Sequence, residues 1–376
     1  MIFQTKHDII YADLKVEALC AFANSRFFGE KESDVLNNIA ILGGGTWAIA
    51  LAKLLCENHH RVTVWSALPQ EIASLRKNRM HPNLPGVRLP AELQYTEDIG
   101  EAIRGKEFVV FAVASAYVRS TAKCAAPYIT SEQILIDVAK GMEPETLLTM
   151  TEVIADELEK SGTAYCKSLV ALSGPTHAEE VARGVPTSIV SACQDEAVAC
   201  KVADIFMNSC MRVYTNTDIH GVELCGALKN IIALAAGMLR GMGCGDNTTA
   251  MLITRGIAEM TRMGIAVGCR RRTFSGLAGI GDLIVTCTSV HSRNNRCGEL
   301  MGKGLPYKEA SAKIGMVVEG YYALDAAVAL CSKYHVDMPI VSAVYDVVKN
   351  GRDPFEAMQE LMTREMKSEL DDTTQL

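Results

Sequence analysis

The chain has 376 residues, enough for two domains, and 49% of them are hydrophobic, enough for a sizeable core. Its net charge of −7 argues against general nucleic-acid or anionic-membrane binding. The longest uninterrupted apolar run, 231–239, falls far short of the ~18 residues that a membrane span needs. Thirteen cysteines, an odd number, show no Cys-x-x-Cys pair and no clustered Cys/His spacing. Neither a disulfide framework nor a zinc site is expected from that pattern.

Residues 1–36 carry both signs of charge, with Lys6, Asp8, Glu17 and Arg26 among them. They lack the basic start, apolar middle and small-residue cleavage site of a signal peptide. This extension is expected to form a short helix around 13–23 or to stay partly disordered. From 37 to 217 strand and helix patterns alternate. Short apolar, β-branched runs predict strands at 39–42, 62–65, 108–113, 134–138, 169–172, 188–191 and 212–214. Helical patterns lie between most of them, as at 47–57 and 196–208. Alternation of this kind predicts an α/β fold with a doubly wound, Rossmann-type parallel sheet.

The first strand runs into Gly43-Gly44-Gly45-Thr46-Trp47-Ala48, which then opens a helix. The glycine Gly43 permits the tight turn, and Gly45 lets backbone approach a pyrophosphate at the helix N-terminus. Ala48 still allows close helix–sheet packing. Glycines after a strand often only make a turn, but strand before, helix after and a second strand at 62–65 point to a dinucleotide site, 37–217 being its domain. The second strand ends in Trp65-Ser66-Ala67-Leu68, without the acidic residue that usually reads the ribose hydroxyls of NAD and without a cation for NADP.

Two later blocks in the same region pair reactive residues with turns. Lys140, in Val138-Ala139-Lys140-Gly141, sits at a strand's C-terminal end, where open sheets bind ligands; it also reads as a solvated loop lysine. Ser173-Gly174-Pro175-Thr176-His177-Ala178 joins a strand to a helix, and a cap and turn would explain it equally. His177 and His220 have no partner spacing that supports acid–base work.

After Asp218 the strand signal fades, and 218–365 is predicted to be all-helical, with helices at 219–242, 249–267, 317–334 and 340–349. A polar tail, 366–376, follows. The first of these helices holds Lys229 inside Cys225-Gly226-Ala227-Leu228-Lys229-Asn230-Ile231-Ile232-Ala233. A helix apolar nearly all round is buried. Burying an ammonium lowers its pKa toward the range of proton transfer, unless it snorkels or closes a structural ion pair. Gly279-Ile280-Gly281-Asp282 is a glycine-rich bend ending in a carboxylate, which could also simply cap a helix. Ser292-Arg293-Asn294 offers a planar cation and an amide suited to a phosphate, or a solvated basic loop.

Together these blocks, with Leu-Ile-Thr-Arg-Gly at 252–256 and Val317-Val318-Glu319-Gly320, resemble the NAD(P)-dependent glycerol-3-phosphate dehydrogenases of the bacterial type. The resemblance runs from Ile39 to about Met362. It implies interconversion of dihydroxyacetone phosphate and sn-glycerol 3-phosphate, supplying glycerolipid synthesis, with NAD or NADP as cofactor and no metal. It makes Lys229 the proton donor and acceptor, with Lys140 and Asp282 beside the reacting centre. Gly174, Thr176, Asn230, Ser292, Arg293 and Asn294 fall at the substrate end. Thr46, Trp47, Ala48, Ala178, Val317 and Glu319 line the dinucleotide with Gly43 and Gly45, and Lys140 and Arg293 reach it. His177, where the family usually has Phe, and Ala67, often His or Arg, depart from the pattern. The resemblance further implies a cytoplasmic homodimer with no membrane span and no nucleic-acid partner, although no residue pattern fixes the oligomeric state. A related dehydrogenase of another hydroxy acid or of ketopantoate would share the loop and the helical lysine but would not need Ser292-Arg293-Asn294. A dinucleotide sensor would need the loop alone.

Overall fold

The computed structural model describes residues 36–366, 368 and 369. The helix expected around 13–23 and most of the polar tail lie outside the described residues. Eight strands form one sheet: β1 (Asn38–Leu42), β2 (Arg61–Trp65), β3 (Gln94–Thr96), β4 (Phe108–Phe111), β5 (Ile134–Asp137), β6 (Val170–Ser173), β7 (Thr187–Ala192) and β8 (Met211–Asn216). Their spatial order is β3-β2-β1-β4-β5-β6-β7-β8. Strand direction is parallel from β3 through β6.

Two features depart from the sequence reading. Strand β3 has three residues, two of them polar, at the sheet edge, so no apolar run announces it. Strand β7 pairs antiparallel with β6, in the register Leu172↔Ser191, and β8 then runs parallel to β7. The link from β6 to β7 contains only a one-turn helix and a left-handed turn at Gly184. It reverses the chain instead of supplying the crossover helix that a parallel neighbour needs.

Helices cover both faces. On one face α1 (Thr46–Glu57), α2 (Pro69–Asn78) and α7 (Glu196–Phe206) pack against Ile39, Ile41, Val62 and Val64. On the other, α3 (Ile99–Ile103), α4 (Val118–Ala125) and α5 (Met150–Lys160) pack against Ala40, Leu42, Val109 and Phe111. Alternate residues of one strand thus feed two cores, and burial on both sides is why these strands read as unbroken apolar runs. The one-turn helix between β6 and β7 is α6 (Ala178–Val181).

Beyond β8 every regular element is helical. Helix α8 (Ile219–Gly241) is the axis of this region and is wrapped by α9 (Asp246–Ala266), α11 (Asp282–Thr288), α12 (Arg293–Gly302) and α14 (Glu319–Tyr334). Between α9 and α11 lies the one-turn α10 (Arg271–Phe274), and α13 (Tyr307–Ile314), α15 (Pro339–Asn350) and α16 (Pro354–Met362) complete the set. Residues 221–239 of α8 are all buried.

Glycines decide how closely α8 is approached. A β-carbon on Gly237 or Gly241 of α8 would collide with the backbone of Asn295 or Glu299 on α12. One on Gly298 or Gly302 of α12 would collide with Leu234 or Met238 of α8. The two helices touch backbone to backbone at four interlocking glycines. With 23 residues and a mean hydropathy of 1.6, α8 is long and apolar enough to cross a membrane, which its longest uninterrupted apolar run did not indicate. Its apolar window is wholly buried inside the protein, as a core helix is.

Candidate active site

The strand order reverses between β1 and β4, so the loops after these strands diverge and open a crevice at the C-terminal edge of the sheet. The glycine loop lines it. Gly43 has φ +136°, and a β-carbon there would collide with Ala112 O at the end of β4. Only glycine lets β1 and β4 stay this close. Gly45 differs: its φ is −70°, and a β-carbon would meet nothing within 4 Å. Open space therefore lies in front of α1, whose first turn has neither a side-chain cap nor an acidic residue. The free N–H groups of Thr46, Trp47 and Ala48 and the helix dipole fit a pyrophosphate here. Trp47 and Ala178 pack against the same apolar core, and Asn83 Nδ2 reaches Thr46 Oγ1 at 3.3 Å and Met316 Sδ, beside half-buried Val317, at 3.6 Å.

Three charged side chains from three separate elements meet. Lys140 follows β5, Lys229 is in the middle of α8, and Asp282 begins α11. Lys229 Nζ donates to Asp282 Oδ1 at 2.5 Å and to Thr286 Oγ1 at 2.8 Å. Lys140 Nζ donates to Asp282 Oδ2 at 2.7 Å, to Gly174 O at 2.8 Å and to Thr176 Oγ1 at 3.4 Å. Asp282 is not a cap. A π-helical turn, Leu277–Gly281, leads straight into α11, and its carboxylate is spent on the two lysines. The carboxylate is 2% exposed and Lys229 5%, so neither charge is dissolved by water.

Burial is the main influence on Lys229 and outweighs the attraction of Asp282, bringing its pKa down to about 8. For Asp282 burial alone would raise the pKa, but Lys140 and Lys229 overcome it and hold the carboxyl below its ordinary value. Two ammoniums share one carboxylate, which leaves one positive charge uncompensated within the hydrogen-bonded set. Two orphaned polar atoms lie at the adjacent strand ends: Ser173 Oγ and Asp137 Oδ1 are buried without a partner. Burial pushes the Asp137 carboxyl well above the usual carboxylate range.

Asn230 Nδ2 donates to Lys140 O at 3.2 Å and Gly226 O at 3.0 Å. Its oxygen accepts from Asn294 Nδ2 at 2.9 Å, and Asn294 Oδ1 accepts from Gly320 N at 2.9 Å. Much of the Asn294 amide is thus committed to holding α8, α12 and α14 together. Ser292 is buried and caps α12 through Asn295 N. Arg293, the first residue of α12, is half-buried and feels the charge of Glu319. Glu319 Oε1 accepts from Ser115 N at 3.2 Å and Oε2 accepts from Ser115 Oγ, which ties α14 to the turn after β4. His177 packs 5.8 Å from His291, and burial lowers its pKa; His220 pairs with Glu152, which raises its pKa.

Four residues at the site escaped the sequence reading. Thr286 lies one helical turn after Asp282, a spacing that could have flagged it. Ser115 follows a strand's C-terminal end, where such sheets bind ligands. Asn83 comes from a loop with no pattern. The fourth is acidic: Glu71, on the first turn of α2, lies against the glycine loop, and a β-carbon on Gly44 would collide with its Oε2.

A loop fit for a pyrophosphate and a buried lysine of lowered pKa belong to the same chain. The matching families agree. Residues 38–199 match the N-terminal model, and 218–359 the C-terminal model, of NAD-dependent glycerol-3-phosphate dehydrogenase. The chain belongs to this family. It is 57% identical over 332 residues to glycerol-3-phosphate dehydrogenase [NAD(P)+] 2 of Lactobacillus delbrueckii subsp. bulgaricus, covering 88% of this chain and 98% of that one. It is 45% identical to glycerol-3-phosphate dehydrogenase [NAD(P)+] of Agathobacter rectalis, with 89% and 98% covered. Among solved structures it resembles the glycerol-3-phosphate dehydrogenase of Coxiella burnetii at TM-score 0.83 and 34% identity, over 88% of this chain and 99% of that one. As a member of the glycerol-3-phosphate dehydrogenase family the chain is an NAD(P)-dependent oxidoreductase, and its mixed but mostly parallel sheet followed by helices is the fold that this family implied.

Proposed function

We propose that the chain reduces dihydroxyacetone phosphate to sn-glycerol 3-phosphate, reversibly, and so supplies glycerolipid synthesis. The observation that carries the reading is the pair of lysines on one buried carboxylate. The bound dinucleotide supplies or accepts the hydride. As the ketone is reduced, negative charge develops on its oxygen, and the uncompensated positive charge of the Lys140–Asp282–Lys229 set stabilises it. Lys229, with a pKa of about 8, donates the proton to that oxygen and is reprotonated from solvent. In the reverse direction neutral Lys229 removes the hydroxyl proton. Asp282 and Thr286 hold Lys229 in place, and Gly174 and Thr176 do the same for Lys140.

Arg293, half-buried at the start of α12, takes the substrate phosphate, and Ser292, Asn230 and Asn294 fix its position. Thr46, Trp47, Ala48, Ala178, Val317 and Glu319, with Gly43 and Gly45, line the dinucleotide. The chain divides near 217–218 into a dinucleotide-binding and a substrate-handling part. It works as a cytoplasmic homodimer without a membrane span, α8 being a core helix. Purified protein is mixed with NADH or NADPH and dihydroxyacetone phosphate, and the fall in absorbance at the reduced nicotinamide band is followed. Turnover is expected with the phosphorylated ketone. Reduction of ketopantoate or another keto acid in its place would overturn the substrate assignment. Dinucleotide binding with no turnover on any of these ketones would mark a sensor.

A further inference from the structure

A dinucleotide whose pyrophosphate lies at the start of α1 carries its adenosine ribose over the end of the second strand. There a carboxylate selects the free 2′-hydroxyl of NAD, and a cation selects the extra phosphate of NADP. The turn Ser66-Ala67-Leu68 holds neither. The chain instead delivers a carboxylate from the next helix. Glu71 is folded back from the first turn of α2 so that Ser66 Oγ donates to its Oε2 at 2.5 Å. Ser66 is buried, 4% exposed, and its Oγ in turn accepts from Leu68 N at 3.1 Å. Glu71 Oε1 takes no hydrogen bond from the described residues, and the side chain is half-buried against Gly44. This is a fixed acceptor with an open oxygen beside the glycine loop.

Among the described residues, the hydrogen-bonded cations nearby are turned to other partners, and the neighbour that Glu71 does attract, His81, is held back from protonation by its burial. Arg76 donates to Tyr95 O at 2.7 Å and Arg79 to Leu89 O at 2.9 Å. His81 is buried, its Nδ1 accepts from Asn83 N at 3.1 Å, and burial lowers its pKa. The start of α2 has little appeal for an anion either: Pro69 removes a donor, and the Glu71 carboxylate already takes up the positive end of the helix dipole.

We propose that Glu71, held by Ser66, binds the adenosine-ribose hydroxyls and that the enzyme therefore takes NADH in preference to NADPH. The inference rests on the dehydrogenase reading above but concerns the other end of the cofactor from the chemistry. A ribose hydroxyl donates to the open oxygen of Glu71, whereas a 2′-phosphate dianion meets like charge with no cation to relieve it.

The test is equilibrium binding to the purified full-length protein, with no ketone present. NADH and NADPH are titrated separately, and quenching of tryptophan fluorescence is read. Wild type is expected to bind NADH roughly 10–100-fold more tightly, the range of one charge-assisted hydrogen bond. Glu71→Gln should bring the two dissociation constants within a few-fold of each other. Leu68 is 52% exposed, so Leu68→Arg added to Glu71→Gln should turn the preference toward NADPH. Equal affinities in wild type, or an undiminished preference in Glu71→Gln, would overturn the assignment. Because no substrate is present, tight NADH binding with no subsequent turnover would fail the dehydrogenase reading while leaving this one standing. Failure to bind either dinucleotide would sink both.

Discussion

The glycine loop after β1 and the lysine cluster that begins after β5 are built from opposite materials. At the loop the working groups are backbone N–H donors, left unpaired at an uncapped helix start with open space before Gly45. At the cluster they are side chains, and each ammonium is already bonded to protein: Lys229 to Asp282 and Thr286, Lys140 to Asp282, Gly174 and Thr176. A site of unpaired backbone waits for a ligand to complete it. A site of paired side chains is complete beforehand and, on the proposed reading, only lends its proton. The first should therefore fail by being filled, and the second by losing a charge.

The largest expected effect is at the cluster. Lys229→Met keeps the length and the apolar packing and removes the proton, so turnover should fall on the order of 10²–10⁴-fold with NADH affinity unchanged. Rates near wild type in a folded variant would end its role. Asp282→Asn removes the one carboxylate from a buried ammonium, Lys229, and a half-buried one, Lys140. Unfolding in denaturant should show a loss of ~3–5 kcal/mol, the usual cost of breaking a buried pair from one side. An unchanged midpoint would mean that the lysines shed their charge instead.

Arg293→Ala should weaken the phosphorylated ketone by roughly 2–4 kcal/mol in specificity constant and leave unphosphorylated dihydroxyacetone nearly untouched. If the ratio between the two ketones stays as in wild type, Arg293 serves the dinucleotide side, where Glu319 already feels its charge. Gly45→Val probes the loop cleanly. The backbone at Gly45 is extended, with a negative φ, and no atom lies within 4 Å of a β-carbon, so the fold should be indifferent. Dinucleotide affinity should nonetheless drop by about 1–3 kcal/mol, as overfilled space generally costs; calorimetric titration shows it directly.

The smallest effect is the pH response. Burial lowers the Lys229 pKa to about 8, so the lysine is protonated below that pH and neutral above it. Ketone reduction should fall through pH 8, by about tenfold per unit beyond it, while alcohol oxidation rises over the same window. A reduction rate flat to pH 10 would remove Lys229 as the proton source.

Much of this was legible in the chain. Strands such as Ile39–Leu42 read clearly because burial on both faces demands continuous apolar residues, and Lys229 stood out because a charge is costly in a helix that has no wet side. What escaped was anything settled by long-range pairing. Asp282 lies 53 residues from Lys229; the family resemblance puts it beside the lysines, while the residues around it read equally as a helix cap, and the fold shows its carboxylate bridging both ammoniums. The antiparallel turn of β7 depends on how much helix the preceding link can form, which no strand pattern encodes. Glu71 was overlooked because an acidic partner was sought at the strand's end, whereas the helix start after it carries the group back to the same spot.

The interlocked glycines of α8 and α12 carry one more consequence. Ordinary helices meet through side chains, and a repacked core lets them slide by fractions of an ångström. Here main chain rests on main chain at Gly237, Gly241, Gly298 and Gly302, with the Asn230–Asn294 amide bond as a further pin. On the reading that Lys229 serves the carbonyl end and Arg293 the phosphate end, the gap between them is set as in a caliper whose jaws cannot be adjusted. Such an enzyme measures the length of its substrate, and it should tell a three-carbon phosphate from a four-carbon one by geometry before chemistry begins.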